Sequence, residues 1–298
     1  MNQITIKSPA KVNLYLEVKD LREDGYHNIE TIFQKINLCD VITLSEISRG
    51  IKVICNNRDV PTDYNNLAYR AIALLKGMVR RLPGLEIRIK KKIPVAGGLG
   101  GGSSNAASVL LGVKSLCQIN VSQDKLMELG KKLGADVPFF ISGFNTALGT
   151  GRGDEIVPLV NNLKLWLVLV NPGVRISTKD VYGSLSLKIG LTKDKGGVKI
   201  LSRALQSGDL NAACKALYNR LEDVVTKRWG MVSQVKDRLN HFGASGVLMS
   251  GSGPTVYGIT ATREEAMRLR DKITSEGWDV FIARNSNCAE RSGHDGDN

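Results

Sequence analysis

The sequence of 298 residues predicts an α+β fold in two lobes. Three observations carry that class. Apolar residues recur with the two-residue period of strands and the 3.6-residue period of helices in both halves, without the regular alternation that a parallel sheet would impose. The pattern restarts after Gly153 with a new buried strand. A glycine-rich loop from Gly97 to Ser104 stands between a crisp strand and an apolar helix.

In the first lobe, residues 1–155, Val12, Leu14, Leu16 and Val18 alternate with Lys11, Asn13, Tyr15 and Glu17, the signature of a half-buried strand. Lys11 and Asn13 therefore share one face, opposite the apolar one. Asn66–Val79 reads as a helix with Leu67, Ala71, Leu74, Leu75 and Met78 on one side and Asn66 as its N-cap. Leu85, Ile87 and Ile89 alternate with Glu86, Arg88 and Lys90 in a second strand, and a helix is expected from Ser103 to Cys117. In the second lobe, residues 156–285, Leu165–Val170 is a buried strand stopped by Asn171-Pro172-Gly173. Helical segments follow to about Phe242. Strands Val247–Met249 and Thr255–Ile259 flank a glycine-serine turn, then a helix Arg263–Glu276 and a last strand Val280–Ala283 complete the lobe. Residues 286–298 are polar and aperiodic and are expected to be disordered.

Composition narrows the function classes. With 42% hydrophobic and 23% charged residues, whole-chain disorder is excluded. The five cysteines are scattered, with no CxxC pair and no nearby histidine at ligand spacing, so neither a disulfide framework nor a zinc site is expected. The longest strongly apolar run, Leu165–Val170, is far too short to span a bilayer, and the N-terminus lacks a signal pattern. A cytoplasmic protein is expected. The net charge of +12 fits nucleic acid, an anionic surface, phosphate-bearing small molecules or plain surface charge. Lys90, Lys91 and Lys92 form a tight basic cluster, but aromatics are 5% and do not interleave with the cations, as an RNA-binding sheet would require.

The loop is the strongest chemical signal. Pro94, Val95, Ala96, Gly97, Gly98, Leu99, Gly100, Gly101, Gly102, Ser103 and Ser104 contain five glycines in the six positions 97–102. Without Cβ atoms the backbone can wrap an anion with its N–H groups, and the helix that follows aims its positive end at the same anion. Ser103 and Ser104 can cap that helix or contact phosphate and magnesium. Neither GxxxxGK[ST] nor GxGxxG fits the segment. Phosphate binding is favoured over a linker because of the strand before and the apolar helix after.

This loop resembles the central motif of the GHMP kinases, among them galactokinase and the homoserine, mevalonate and phosphomevalonate kinases. Ser8-Pro9-Ala10-Lys11-Val12-Asn13-Leu14, Gly25-Tyr26-His27, Gly134-Ala135-Asp136-Val137-Pro138-Phe139-Phe140 and Ser250-Gly251-Ser252-Gly253-Pro254-Thr255 narrow the likeness. They are similar to the branch that phosphorylates 4-diphosphocytidyl-2-C-methyl-D-erythritol in non-mevalonate isoprenoid biosynthesis. The likeness runs to about Arg284. It implies a ribosomal S5 domain 2-like N-terminal lobe and a ferredoxin-like C-terminal lobe. It also implies transfer of the ATP γ-phosphate to a hydroxyl, with Mg2+ carried by the nucleotide. The partner implied is a small cytidyl diphosphate substrate, with no nucleic acid and no membrane, in a monomer or homodimer.

The resemblance assigns roles residue by residue. Asp136 is the base; by itself it reads equally as a cap before Val137-Pro138. Lys11 lies beside it and offsets developing charge, and Asn13 holds the substrate. Tyr26 stacks on the cytosine while His27 reads its polar edge. Tyr182 closes the other face, or is a core tyrosine on an amphipathic helix. Asn66 contacts nucleotide, caps its helix, or does both. Ser250, Gly251, Ser252 and Gly253 support the substrate end, or form only a tight turn. Phe144 departs from the family pattern, standing where some relatives carry a basic or polar residue that reaches the substrate diphosphate, and the sequence names no acidic magnesium ligand.

Overall fold

The computed structural model describes residues 2–79, 82–185 and 196–285. A long antiparallel hairpin sets its frame, formed by β1 (Gln3–Leu21) and β2 (His27–Ile47). Then come β3 (Ile51–Cys55), α1 (Leu67–Lys76), β4 (Gly84–Lys90), α2 (Gly101–Leu116), α3 (Gln123–Leu133), α4 (Val137–Ile141), β5 (Thr146–Thr150) and β6 (Glu155–Pro158). The chain continues through β7 (Trp166–Asn171), α5 (Thr178–Gly183), α6 (Gly197–Ser207), α7 (Leu210–Lys215), β8 (Tyr218–Asn219), α8 (Glu222–Arg228) and α9 (Gly230–His241). It ends with β9 (Gly246–Met249), β10 (Val256–Thr260), α10 (Arg263–Ile273) and β11 (Asp279–Arg284).

The first sheet runs β3-β4-β2-β1-β8, with β5 on the far half of β2 and β6 on β5. The second is antiparallel, β11-β7-β10-β9. Helices α1 to α4 cover one face of the first sheet, where Ile42, Leu44, Leu85 and Ile87 meet Ala71, Leu75, Val109 and Phe139. The other face of β1 packs through Val12 and Leu14 on Leu167 and Leu169 of β7 and Tyr257 of β10. One core thus joins the two sheets. No helix of the described residues is long and apolar enough to cross a membrane.

Several elements differ from the sequence expectation, each for a physical reason. Lys11 and Asn13 are only 4% and 2% exposed, because α2 and α4 cover the face read as polar and solvated. A register shift between Asn13 and Tyr15 leaves Leu14 without its own partner on β2. Such a bulge re-aims the side chains beside it. In α1 the buried face is Ala68, Ala71, Ile72 and Leu75; the helix stops at Lys76, and Met78 is exposed. Helix α2 starts at Gly101 and not at Ser103, because Gly100 takes the left-handed conformation of its N-cap. The expected lobe division at 155/156 falls inside β6, which belongs to the first sheet. Asn285, the last described residue, is buried and exchanges hydrogen bonds with Leu163 and Leu165. The expected disordered tail, 286–298, lies outside the described residues.

Candidate active site

The glycine loop leaves β4 and enters α2 under tight constraint. Gly98 and Gly100 have φ of +73° and +68°, which side-chain-bearing residues avoid. A Cβ at Gly98 would collide with the Ser250 carbonyl. Ser250 Oγ donates to Gly98 O at 3.0 Å, so the turn between β9 and β10 clamps the loop from the second lobe. Beneath it Lys11 N donates to Leu99 O at 3.0 Å. Helix α2 begins without a side-chain cap, which leaves its first N–H groups for an anion.

A fully buried carboxylate ties the entrance and exit of the loop together. Asp40 Oδ1 accepts from Lys92 N at 2.8 Å and Ile93 N at 2.9 Å. Its Oδ2 accepts from Asn105 Nδ2 of α2 at 2.9 Å and pairs with Lys91 Nζ at 2.5 Å. The Lys91 side chain is therefore only 5% exposed and ion-paired, not a free surface cation of the basic cluster, and a Cβ placed on Gly101 would lie 2.8 Å from its ammonium.

Lys11 and Asp136 meet beside this loop. Lys11 Nζ stands 3.4 Å from Asp136 Oδ2 and donates to Asn13 Oδ1 at 2.7 Å. Asn13 Nδ2 donates to Thr31 Oγ1 at 2.7 Å, and Thr31 Oγ1 to Tyr15 O at 2.6 Å. The amide of Asn13 is thus oriented from behind and aims its oxygen at the ammonium. Asp136 occupies the N-cap position of α4 but makes no capping bond. Its carboxylate, 31% exposed, is open to the cleft.

That cleft, of about 2120 Å³, runs between the two sheets' loops and gathers most of the expected residues. Lys11, Asn13, Asn66, Asp136, Tyr26, His27, Tyr182, Gly251, Ser252 and the loop from Pro94 through Ser103 all line it. Three expected residues do not. Ser104 Oγ bonds Ser8 Oγ at 2.8 Å on the buried side of α2. Ser250 faces Gly98, and Gly253 packs against Met249 behind the turn. Asn66 caps α1, accepting from Ala68 N at 2.8 Å and donating to Pro61 O at 2.6 Å. Phe144 packs against the core of the first lobe and lies off the cleft.

At the far end, aromatic groups face the open volume. His27 and Tyr182 lie with ring centroids 5.3 Å apart. Burial pulls His27 below its ordinary value, and the Asp20 carboxylate opposes this only in part. Burial, and secondarily the Asp136 carboxylate, push the Tyr182 phenol up. Both rings are therefore neutral near pH 7, each with a donor and an acceptor to offer. Tyr26 is 56% exposed, with the Arg152 guanidinium 5.0 Å from its ring centroid. Arg152, itself held by Asp154 at 2.7 Å, was not singled out in the sequence. Its flanking Gly151 and Gly153, both at positive φ, are the signal of a specialised turn. Thr178, whose Oγ1 lies 2.8 Å from Ser252 Oγ, had no such signal.

Comparison with known proteins gives the family. The GHMP kinases N terminal domain matches residues 66–144, and the GHMP kinases C terminal domain residues 201–279. A 4-diphosphocytidyl-2-C-methyl-D-erythritol kinase of Geobacter metallireducens is 45% identical over 287 residues, covering 95% of this chain and 99% of the relative. The chain belongs to the 4-diphosphocytidyl-2-C-methyl-D-erythritol kinases, within the GHMP kinases. A relative of the same name from Exiguobacterium sibiricum is 40% identical over 94% of this kinase and 97% of its own length. A solved 4-(cytidine 5'-diphospho)-2C-methyl-D-erythritol kinase superposes with TM-score 0.79 at 31% identity, covering 95% of this kinase and 100% of that chain. Homoserine kinase from Cytophaga hutchinsonii shares the fold at 19% identity, with TM-score 0.76 over 96% and 95% of the two chains.

Proposed function

We propose that this kinase transfers the γ-phosphoryl group of ATP to a hydroxyl of 4-diphosphocytidyl-2-C-methyl-D-erythritol, giving the 2-phosphate and ADP. The reaction belongs to non-mevalonate isoprenoid precursor synthesis and would run in the cytoplasm, in a monomer or homodimer. The observation that carries the reading is the convergence of Lys11, Asp136 and the Gly97–Gly102 loop in one cleft.

Phosphoryl transfer asks for alignment, charge neutralisation and a base. The loop amides and the start of α2 suit the ATP phosphates, and the close approach of Gly98 and Gly101 to their neighbours leaves backbone, not side chains, to line the cradle. Asp136 accepts the proton of the attacking hydroxyl as the oxygen bonds to the γ-phosphorus and the bond to the ADP oxygen breaks. Lys11, steadied by Asn13, offsets negative charge on the moving group. Tyr26, His27 and Tyr182 hold the cytosine. Magnesium, when bound, would neutralise phosphate charge. Among the described residues no group of three or more His, Cys, Asp or Glu side chains is set to hold a metal ion. The nucleotide's own oxygens and water, with the Ser103 hydroxyl at hand, fit it better.

A second acceptor class, mevalonate or homoserine, would leave the Tyr26–His27–Tyr182 end without purpose. ADP release measured with Mg-ATP and each acceptor in turn separates the two. Turnover confined to the cytidyl diphosphate substrate is expected; equal or faster turnover with mevalonate or homoserine would overturn the assignment.

A further inference from the structure

Directly across the hairpin from Lys11 stands a second buried lysine. Lys35 of β2 is the register partner of Lys11 on β1 and is only 7% exposed. Like charges opposite one another on a sheet are destabilising, and a buried ammonium without a carboxylate is costly. Lys11 is compensated by Asp136 and Asn13. Among the described residues Lys35 makes no ion pair; its ammonium lies over the Phe139 ring, 5.2 Å from the centroid. Burial alone pulls it from 10.5 to about 8. A methionine of similar length would fill the space without that cost, so stability does not account for the residue.

The contacts around it lead to the reacting groups. Phe139 stacks on Phe33 with centroids 4.9 Å apart and planes at 24°. Phe33 in turn carries the Lys11 ammonium 5.3 Å from its centroid. Two ammonium groups and two rings thus form one continuous cluster. Its members come from β1, β2 and α4, and α4 carries Asp136 at its N-cap. Neither Lys35 nor Phe139 lines the cleft.

We propose that Lys35 is a positioning residue for phosphoryl transfer: by holding Phe139 it fixes α4, and with it the Asp136 carboxylate, against the Lys11 ammonium. The proposal rests on the kinase reading above.

The test compares Lys35→Met and Lys35→Arg with the parent, in steady-state kinetics and thermal unfolding at pH 7. Losing one desolvated cation–π contact should lower kcat by about tenfold in Lys35→Met, with KM for ATP and acceptor within about twofold. Its Tm should equal or exceed that of the parent, because an unpaired buried charge is gone. Lys35→Arg, which keeps the cation, should restore kcat to within about threefold of the parent. In a Phe139→Leu background Lys35→Met should have no further effect on kcat. A kcat for Lys35→Met within about twofold of the parent, a loss that arginine does not restore, or additive effects with Phe139→Leu would each overturn the proposal. Turnover by the unsubstituted chain tests the kinase reading on its own. The Lys35 comparison is a ratio among chains that turn over, so the two can fail separately.

Discussion

Tyr26 and Arg152 both line the cleft, with the guanidinium 5.0 Å from the Tyr26 ring centroid. Stacking of a base on such a ring is worth roughly 1–3 kcal/mol. Tyr26→Ala should therefore raise KM for the cytidyl substrate by about tenfold or more and leave kcat nearly unchanged. A large drop in kcat at constant KM would contradict that role. Lys35 supplies a pH-dependent counterpart. Its folded value, about 8, lies below the ordinary 10.5, so between these the unfolded chain binds more protons than the folded one. Stability then rises with pH across that window. Relative to Lys35→Met, the parent should carry a penalty of up to about 3 kcal/mol below pH 8 that fades as pH rises toward 10.5. Urea unfolding of both chains at pH 7 and pH 10 measures it, and a constant difference would refute it. The role of Tyr26 follows from the family resemblance, whereas the burial of Lys35 was not visible in the sequence. Lys11 and Asn13 sit in a strand whose alternation suggests a solvated polar face, and only the helices packed on that face bury them.

The glycine loop was the most legible element, because five glycines in six positions between a strand and a helix admit few other readings. Spacing alone did not show its clamp, since the Ser250 turn that pins Gly98 comes from the other sheet; only the family resemblance set that turn near the loop. Gly98→Ala adds a Cβ that meets a backbone carbonyl in a left-handed conformation. Gly208 has a similar φ, +76°, with nothing within 4 Å of its would-be Cβ. Gly208→Ala should cost about 1 kcal/mol of strain alone. Gly98→Ala should lower Tm further and raise KM for ATP at least about tenfold, since the cradle itself must shift. Equal Tm losses and unchanged KM would mean the clamp is slack. The strand β2 went unassigned for a different reason. Residues 31–36 are buried one after another, so polar Thr31, Gln34 and Lys35 break the alternation that marks a half-exposed strand. Strands that read cleanly, such as β4 and β7, are those whose pattern a single environment dictates.

Across the whole molecule, the two sheets share one apolar core: Val12, Ile36, Leu167 and Tyr257 belong to a single cluster, and Tyr257 OH donates to Asn13 O at 2.9 Å. The lobes anticipated in sequence are therefore expected to unfold together. A single calorimetric transition is expected, with an ATP analogue raising its midpoint; two separable transitions would show that the shared core does not couple the lobes. The same packing explains why the Lys11–Asp136 pairing could not be read from spacing. Lys11 lies on β1, Asp136 precedes α4, and only the closure of α2 and α4 over the hairpin brings them to 3.4 Å. Turnover of the cytidyl substrate by Asp136→Asn, measured beside the Kd for an ATP analogue, tests that convergence most directly. A fall in kcat of at least about 100-fold with analogue binding within a few fold of the parent is expected. Near-parental turnover would contradict the account.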